Sequence, residues 1–491
     1  MYITTTIPYV NARPHLGFAL ELVQGDVLAR HHRGRGEPVR FQTGTDDNSL
    51  KNVLAAEAEG VPVRELVDRN AAAFEALRDP LDLSFDSFIR TSRHPGHRAG
   101  VEAIWAAVRH DLYRRRYEGL YCVGCEQFYT EGPCQEGHEA PLQRVAEENW
   151  FFRLSRYQDV LLDLVKSGGL RIEPAARRNE VVAFVEAGLA DISISRSAER
   201  ARGWGIPVPG DPDQVVYVWW DALANYVTAL EGDDYRRWWV EEPRRTHLMG
   251  KGVIRFHAVY WPAMLLSAGL PLPHAIFVHD YLTVDGRKIS KSAGDAVDPA
   301  RLVAAYGVDA VRWWLLRETP RVGDVDFTED RLVARADEDL ANGIGNLVNR
   351  VVTMVHRFRG GVVPDAAPEP LPACLQAPRL VHEALEDFDF RRAAAAVWAI
   401  VEEANRYVET NRPWRQDEAG RAVSLATLVH ACRELAVQLE PFLPTAAARV
   451  GAAVPGPVTG PVTGPVTGPA GAGVAGARLP RPEPLFARLG R

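Results

Sequence analysis

The chain opens on a run of β-branched and aromatic residues, Tyr2 to Ile7, that Pro8 closes, and this pattern reads as a short strand. From His15 onward the apolar positions Leu16, Ala19, Leu20, Val23, Val27 and Leu28 recur at helical spacing up to the basic stretch 30–35. A second strand pattern, Val39-Arg40-Phe41-Gln42-Thr43, stops at Gly44. Strand, helix and strand in that order predict a parallel α/β sheet, whose ligands sit beyond the carboxyl ends of the strands. The rhythm breaks between 118 and 200 and returns in the apolar runs Val215–Trp219 and Ile276–Val284. One sheet split by an insertion is the expected result. After Glu329 the strand patterns cease, and Leu340–Arg359, Leu380–Thr410 and Ala422–Leu443 carry helical periodicity, which predicts an all-α domain.

The expected organisation is a sheet domain over 1–117 and 201–328, an insertion over 118–200, a helical unit over 329–450, and a Pro/Gly-rich linker with a C-terminal segment over 451–491. Three copies of Pro-Val-Thr-Gly lie within 456–469, a composition that reads as linker rather than repeat fold. With 46% apolar and 25% charged residues, the chain can bury a sizeable core, which excludes a disordered or fibrous class. The net charge of −7 gives no argument for nucleic-acid binding; such a partner must meet a local basic surface. No apolar run predicts a membrane span, and the start lacks the basic and apolar segments of a signal peptide, so a cytoplasmic location is expected. Five cysteines do not make a disulfide scaffold. Cys122, Cys125 and Cys134 fall close together and point to metal, whereas Cys374 and Cys432 read as buried residues of helices.

Two segments carry candidate chemistry. In Pro8-Tyr9-Val10-Asn11-Ala12-Arg13-Pro14-His15-Leu16-Gly17-Phe18, a histidine and a glycine stand at a helix start. There Gly17 leaves room for a base or ribose, and the free backbone N–H groups favour phosphate. In Asp285-Gly286-Arg287-Lys288-Ile289-Ser290-Lys291-Ser292, a turn precedes two lysines and two serines that suit a polyphosphate. Each alone reads equally as a helix cap or a solvated loop. Together they resemble the two signatures of class I aminoacyl-tRNA synthetases, and within that class the methionyl-tRNA synthetases. Phe41-Gln42-Thr43-Gly44-Thr45-Asp46, Trp204-Gly205-Ile206-Pro207, Tyr217-Val218-Trp219-Trp220-Asp221-Ala222 and His257-Ala258-Val259-Tyr260-Trp261-Pro262 extend the resemblance, which covers about residues 1–450. An insertion of this length cannot house the large editing domain of the valine, isoleucine and leucine enzymes.

The resemblance implies a Rossmann-like catalytic domain split by a zinc-knuckle insertion and followed by an all-α anticodon-binding bundle. It implies activation of L-methionine by ATP, with Mg2+, to methionyl-adenylate, and transfer to tRNA(Met). His15 and Gly17 would contact ATP, with Lys251, Lys288, Lys291 and Ser292 on the phosphates; His15, Lys288 and Lys291 would be catalytic. Asp46 would accept a hydrogen bond from the substrate ammonium. Tyr9, Trp219, Ala222, Leu223, Tyr226, Val253 and His257 match the methionine pocket, with Ile7 at its edge, although these aromatics also suit plain core packing. Asn346, Arg350 and Trp414 resemble the anticodon readers, while Trp414 could equally cap a helix-bundle core. Cys122, Cys125, Cys134 and His138 have the types and number of a tetrahedral zinc site, the alternative being a reduced thiol cluster without metal. Three residues, rather than the family's two, separate Cys134 from His138.

The departures gather at the chemistry. Phe18 occupies the place of the second signature histidine, Asp47-Asn48-Ser49 replaces an acidic-His-Gly sequence, and Gly252 stands where the family has an aspartate. Three readings follow: a working synthetase with a remodelled ATP site, a paralogue making an aminoacyl-adenylate or aminoacyl-tRNA for a biosynthetic pathway or another amino acid, or a catalytically weak tRNA-binding protein. The intact lysines favour the first two, and the retained anticodon residues favour tRNA as substrate. The first is the expected function. The chain lacks the additional C-terminal dimerisation module of some relatives, so a monomer is expected.

Overall fold

Six parallel strands make the central sheet: β1 (Tyr2–Thr5), β2 (Arg40–Thr45), β3 (Ser87–Arg90), β4 (Arg171–Glu173), β5 (Arg245–Gly250) and β6 (Ala275–His279). Their order across the sheet is β3-β2-β1-β5-β6-β4. The computed structural model describes residues 1–122, 127–129, 133–134, 141–284, 286–289, 297–456 and 476–490. Every residue of β1 is buried, as expected for a strand covered on both faces. The helix Leu16–Gly34 follows β1, and the chain then returns to pair β2 with it, Ile3 opposite Phe41. On its other side β1 pairs with β5, Ile3 opposite Thr246. The chain thus leaves β1 in two directions, and a crevice opens at the carboxyl ends of the strands at this switch point.

Three sequence expectations change in the folded chain. The run Val215–Trp219 is not a strand of the central sheet. Its first residues end the strand Asp211–Val216, which pairs antiparallel with Pro207–Val208 and Ser195–Ser197, and the helix Val218–Thr228 begins two residues later. A short apolar run carries no period that separates the two. The run Ile276–Val284 divides in the same way: β6 stops at His279, and Leu282–Val284 pairs with Arg287–Lys288 and Val325–Asp326. Finally, Arg171–Glu173, placed by the sequence pattern within the insertion, is β4 and pairs with Ala275–Phe277. The insertion is therefore anchored to the main sheet at its middle. Its own body is a long antiparallel ribbon, Leu112–Cys122 against Gln143–Phe152.

The C-terminal third is helical, with Asn346–Arg359, Pro372–Glu386, Phe390–Asn411, Glu418–Leu439 and Pro444–Ala453 as its main helices. The pattern Leu380–Thr410 spans two of these, broken where Phe388 adopts a positive φ of 53°. Cys374 and Cys432 are buried, and burial pushes both thiols up to about 12. One buried group fastens this domain to the sheet domain. Arg312, fully inaccessible, pairs with the equally buried Asp26 at 2.8 Å. It also donates to the carbonyls of Leu81 (2.9 Å), Phe442 (2.8 Å) and Pro441 (3.2 Å), the last two from the helical domain. The segment 476–490 returns to the body: Leu489 N–H donates to Asp337 Oδ1 at 2.7 Å, and the Phe486 ring lies against Gly345. Among the described residues no helix is long and apolar enough to cross a membrane.

Candidate active site

The crevice beside β1 gathers residues from four segments. The loop after β1 carries Ile7 and Tyr9, and Tyr9 lies in a parallel bridge with Asp46, just beyond the end of β2. The Asp46 N–H donates to the Pro8 carbonyl at 2.9 Å, so the two loops are stitched together. His15 is the N-cap of the helix Leu16–Gly34, its Nδ1 accepting the Gly17 N–H at 3.1 Å. That bond fixes the tautomer. Nδ1 accepts, so Nε2 carries the ring proton and is the donor. A Cβ at Gly17 would lie 3.1 Å from two atoms of the His15 ring, so a larger residue there would press on the imidazole.

The helix Val218–Thr228 supplies the third wall. Trp219 is half-buried and stacks on Phe256, centroids 3.7 Å apart with planes at 9°, while Tyr9 lies 6.2 Å away. Ala222, Leu223 and Tyr226 are buried on the same helix. The Tyr226 hydroxyl meets His257 Nε2 at 2.7 Å, and His257 Nδ1 meets the Val253 carbonyl at 2.9 Å. A carbonyl only accepts, so Nδ1 holds the proton and Nε2 accepts from the tyrosine. Burial lowers the His257 imidazole from 6.5 to about 4, and it stays neutral in the folded protein. The resulting wall is aromatic, uncharged and closed by one polar pair, with the buried carboxylate of Asp46 on the opposite loop. Such a space suits a small amino acid with an apolar, polarizable side chain.

Lys251, directly after β5, pairs with Asp324 at 2.6 Å and lies 4.6 Å from the centre of the Tyr281 ring. Lys288 lies opposite Thr283 in a short antiparallel pair. Lys291 and Ser292 fall outside the described residues, as do Cys125 and His138. Cys122 and Cys134 are both buried and pack with Tyr129, whose hydroxyl is 3.4 Å from the Cys134 sulfur. Both are thiols, the soft donors that zinc takes, and among the described residues no group of three or more His, Cys, Asp or Glu is placed to hold a metal ion. In the helical domain, Asn346 is exposed and Arg350 follows one turn later on the same helix. The Arg350 guanidinium lies 5.7 Å from the centre of the Trp414 ring and 2.7 Å from Glu409. Trp414 is 41% exposed, which excludes the reading as a core cap. Its turn is set by Arg412 in the left-handed region, φ 48°, and by Arg421 donating to the Pro413 carbonyl at 2.9 Å.

Residues 1–140 and 134–352 match the family described as tRNA synthetases class I (M), and residues 371–489 match the anticodon binding domain of methionyl tRNA ligase. The chain belongs to the methionyl-tRNA synthetase family. A methionine–tRNA ligase of Brucella suis is 40% identical, over 99% of this chain and 97% of the relative. That of Thermotoga maritima is 38% identical, over 91% of this chain and 74% of the relative. The Mycobacterium tuberculosis methionyl-tRNA synthetase solved with methionyl-adenylate superposes with a TM-score of 0.89 at 36% identity, each chain covered to 99%.

Within the methionyl-tRNA synthetase frame, two of the three departures find a physical account. Phe18 turns into the core, 7% exposed, with its ring edge-on to Phe74 at 5.1 Å. It is a packing residue and presents no donor to the crevice. Asn48, in place of an imidazole, donates its side-chain amide to Asp221 at 2.7 Å, and Ser49 caps the helix Leu50–Glu59. Nothing in the structure explains Gly252. The Asn48–Asp221 bond was not legible in the sequence, because its partners lie 173 residues apart and neither belongs to a recognised pair.

The buried histidines give a pH prediction. His257 is lowered to about 4 and His31 to about 3, both chiefly by burial, against 6.5 in the unfolded chain. Between those values the unfolded chain binds protons that the folded chain refuses, so stability rises with pH. The contribution is complete above pH 6.5 and is lost as pH falls toward 4. Urea midpoints at pH 7 and pH 5 should show this fall, and His257→Asn should make it shallower.

Proposed function

We propose that the chain activates L-methionine with ATP to methionyl-adenylate and passes the methionyl group to tRNA(Met). The observation that carries this reading is the aromatic pocket of Tyr9, Trp219, Tyr226 and neutral His257 facing the Asp46 carboxylate beside the His15 helix start. Asp46 pairs with the substrate ammonium, and the pocket wall takes the thioether. The His15 Nε2–H and the helix N-terminus stabilise charge on the reacting α-phosphate as the methionine carboxylate attacks it and pyrophosphate leaves. Lys288, Lys291 and Ser292 hold the leaving pyrophosphate, assisted by Lys251; Mg2+ bound with the nucleotide offsets the same charge. Chain-length similarity to methionine–tRNA ligases does not favour the pathway paralogue or the weak RNA binder.

Methionine-dependent ATP–pyrophosphate exchange tests the reading, with the other nineteen amino acids as controls. Exchange with methionine alone supports it, and exchange with a different amino acid overturns the pocket assignment. Absence of any exchange in folded protein overturns the enzyme class.

Cys122, Cys125, Cys134 and His138 hold one structural zinc that stiffens the insertion and takes no part in the reaction. Metal analysis should find one zinc per chain, lost in Cys122→Ser. The protein works as a cytoplasmic monomer. In the helical domain, Trp414 stacks on a splayed anticodon base while Asn346 and Arg350 bond its edge. Trp414→Ala should raise the KM for tRNA by about 5–150-fold, the value of one base–aromatic stack of about 1–3 kcal/mol. Pyrophosphate exchange in the same variant should be unchanged, because activation needs no RNA.

A further inference from the structure

A single residue touches two buried carboxylates at the methionine site. The backbone N–H of Asn48 donates to Asp46 Oδ1 at 3.1 Å, and its side-chain amide donates to Asp221 Oδ2 at 2.7 Å. Asp221 lies on the pocket helix, two residues after Trp219 and one before Ala222. Its other oxygen meets His97 Nε2 at 2.5 Å, and His97 Nδ1 meets Thr228 Oγ1 at 2.6 Å. Asp221, His97 and Thr228 are all buried. Thr228 closes the same helix, and a Cβ at Gly100 would lie 2.3 Å from its methyl, so the helix of His97 is pressed against it. The carboxylate thus stands on a rigid base and presents one oxygen to the loop that carries Asp46.

We propose that Asp221, acting through Asn48, is the positioning residue that sets Asp46 for the substrate ammonium and couples it to the pocket helix. The amide that orients Asp46 belongs to the residue whose side chain Asp221 holds. A shift of that side chain moves the amide, and the carboxylate turns with it. An asparagine suits this task where the family carries histidine. Its Nδ2 stands at the same position along the side chain as an imidazole Nδ1, and it donates a hydrogen bond at every pH. The change at position 48 therefore keeps the donor that Asp221 requires. A buried carboxylate left without it would bear a desolvation cost. This inference rests on the proposed methionine activation and assigns residues that neither touch the reacting atoms nor line the thioether pocket.

Exchanging the polarity of the bond tests it. Asn48→Asp sets two carboxylates face to face, and Asp221→Asn sets two amides there. Each should raise the KM for methionine at least tenfold in pyrophosphate exchange, with kcat within threefold and the KM for ATP unchanged. In the double variant Asn48→Asp/Asp221→Asn the amide of residue 221 donates to the new carboxylate, and its oxygen still accepts from His97. Its KM for methionine should return to within threefold of the parent. Calorimetric titration with methionine alone should follow the same order, and thermal unfolding of each variant separates misfolding from mispositioning. Single variants that keep the parental KM overturn the proposal, as does a folded double variant that is no better than the singles. A parent that shows no exchange with methionine overturns the proposed function itself, which the parental control reports independently of the variants.

Discussion

His15→Ala is expected to lower the kcat of methionine-dependent pyrophosphate exchange by about 100–1,000-fold, a loss of about 2.7–4 kcal/mol that is typical of one preorganised donor to a developing oxyanion. The imidazole is held by its Nδ1, which accepts the Gly17 N–H, so the donor is aimed before substrate arrives. The KM for methionine should change little, because most of the amino-acid pocket, Trp219, Tyr226 and His257 among it, lies on other segments. With Phe18 buried against Phe74, the proposed role falls to His15 without the second histidine of the signature, and its removal would leave no neighbouring imidazole on the helix start to substitute. His15→Asn separates capping from catalysis. Asparagine caps helices well and should restore stability, yet its amide does not reach the position of Nε2. An exchange rate for His15→Ala within fivefold of the parent would remove His15 from the catalytic set.

Arg312→Met should destabilise the protein by about 3–5 kcal/mol, the usual result of breaking a buried ion pair from one side. Methionine fills much of the volume, so the loss is electrostatic rather than a cavity. Asp26 retains Arg30 at 2.8 Å, but three buried carbonyls lose their donor together. Urea unfolding followed by tryptophan fluorescence measures the loss. The surface pair Arg379–Glu383, with side chains 61% and 51% exposed, is the control: Arg379→Ala should change stability by less than about 1 kcal/mol. Because Arg312 joins the two domains, its variant should also lose more tRNA charging than amino-acid activation.

The opening strand, helix and strand were legible because each repeats its own period over enough residues to be told apart. The helices of the C-terminal domain were legible for the same reason, although the break at Phe388 was not, since its positive φ falls on a residue that carries no turn signal. Val215–Trp219 misled because β-branched and aromatic residues end one strand and begin one helix without a polar residue between them. The outer strand Arg171–Glu173 has three residues, too few for any alternation. In the candidate site, His15, Asp46 and the pocket aromatics were legible through the resemblance of their segments to a family. The support behind them was not. Asp221 and His97 are 124 positions apart, and only the packing of two helices brings a carboxylate and an imidazole together.

Eleven of the twelve tryptophans are wholly or partly shielded, whereas Trp414 alone is exposed. Its indole therefore emits at longer wavelength than the rest and is the one most open to a collisional quencher such as acrylamide. An unmodified sample carries an optical reporter in the helical domain. If RNA stacks there as proposed, its binding should be read as a loss of the red edge and of quencher access, at concentrations where methionine and ATP leave that component untouched.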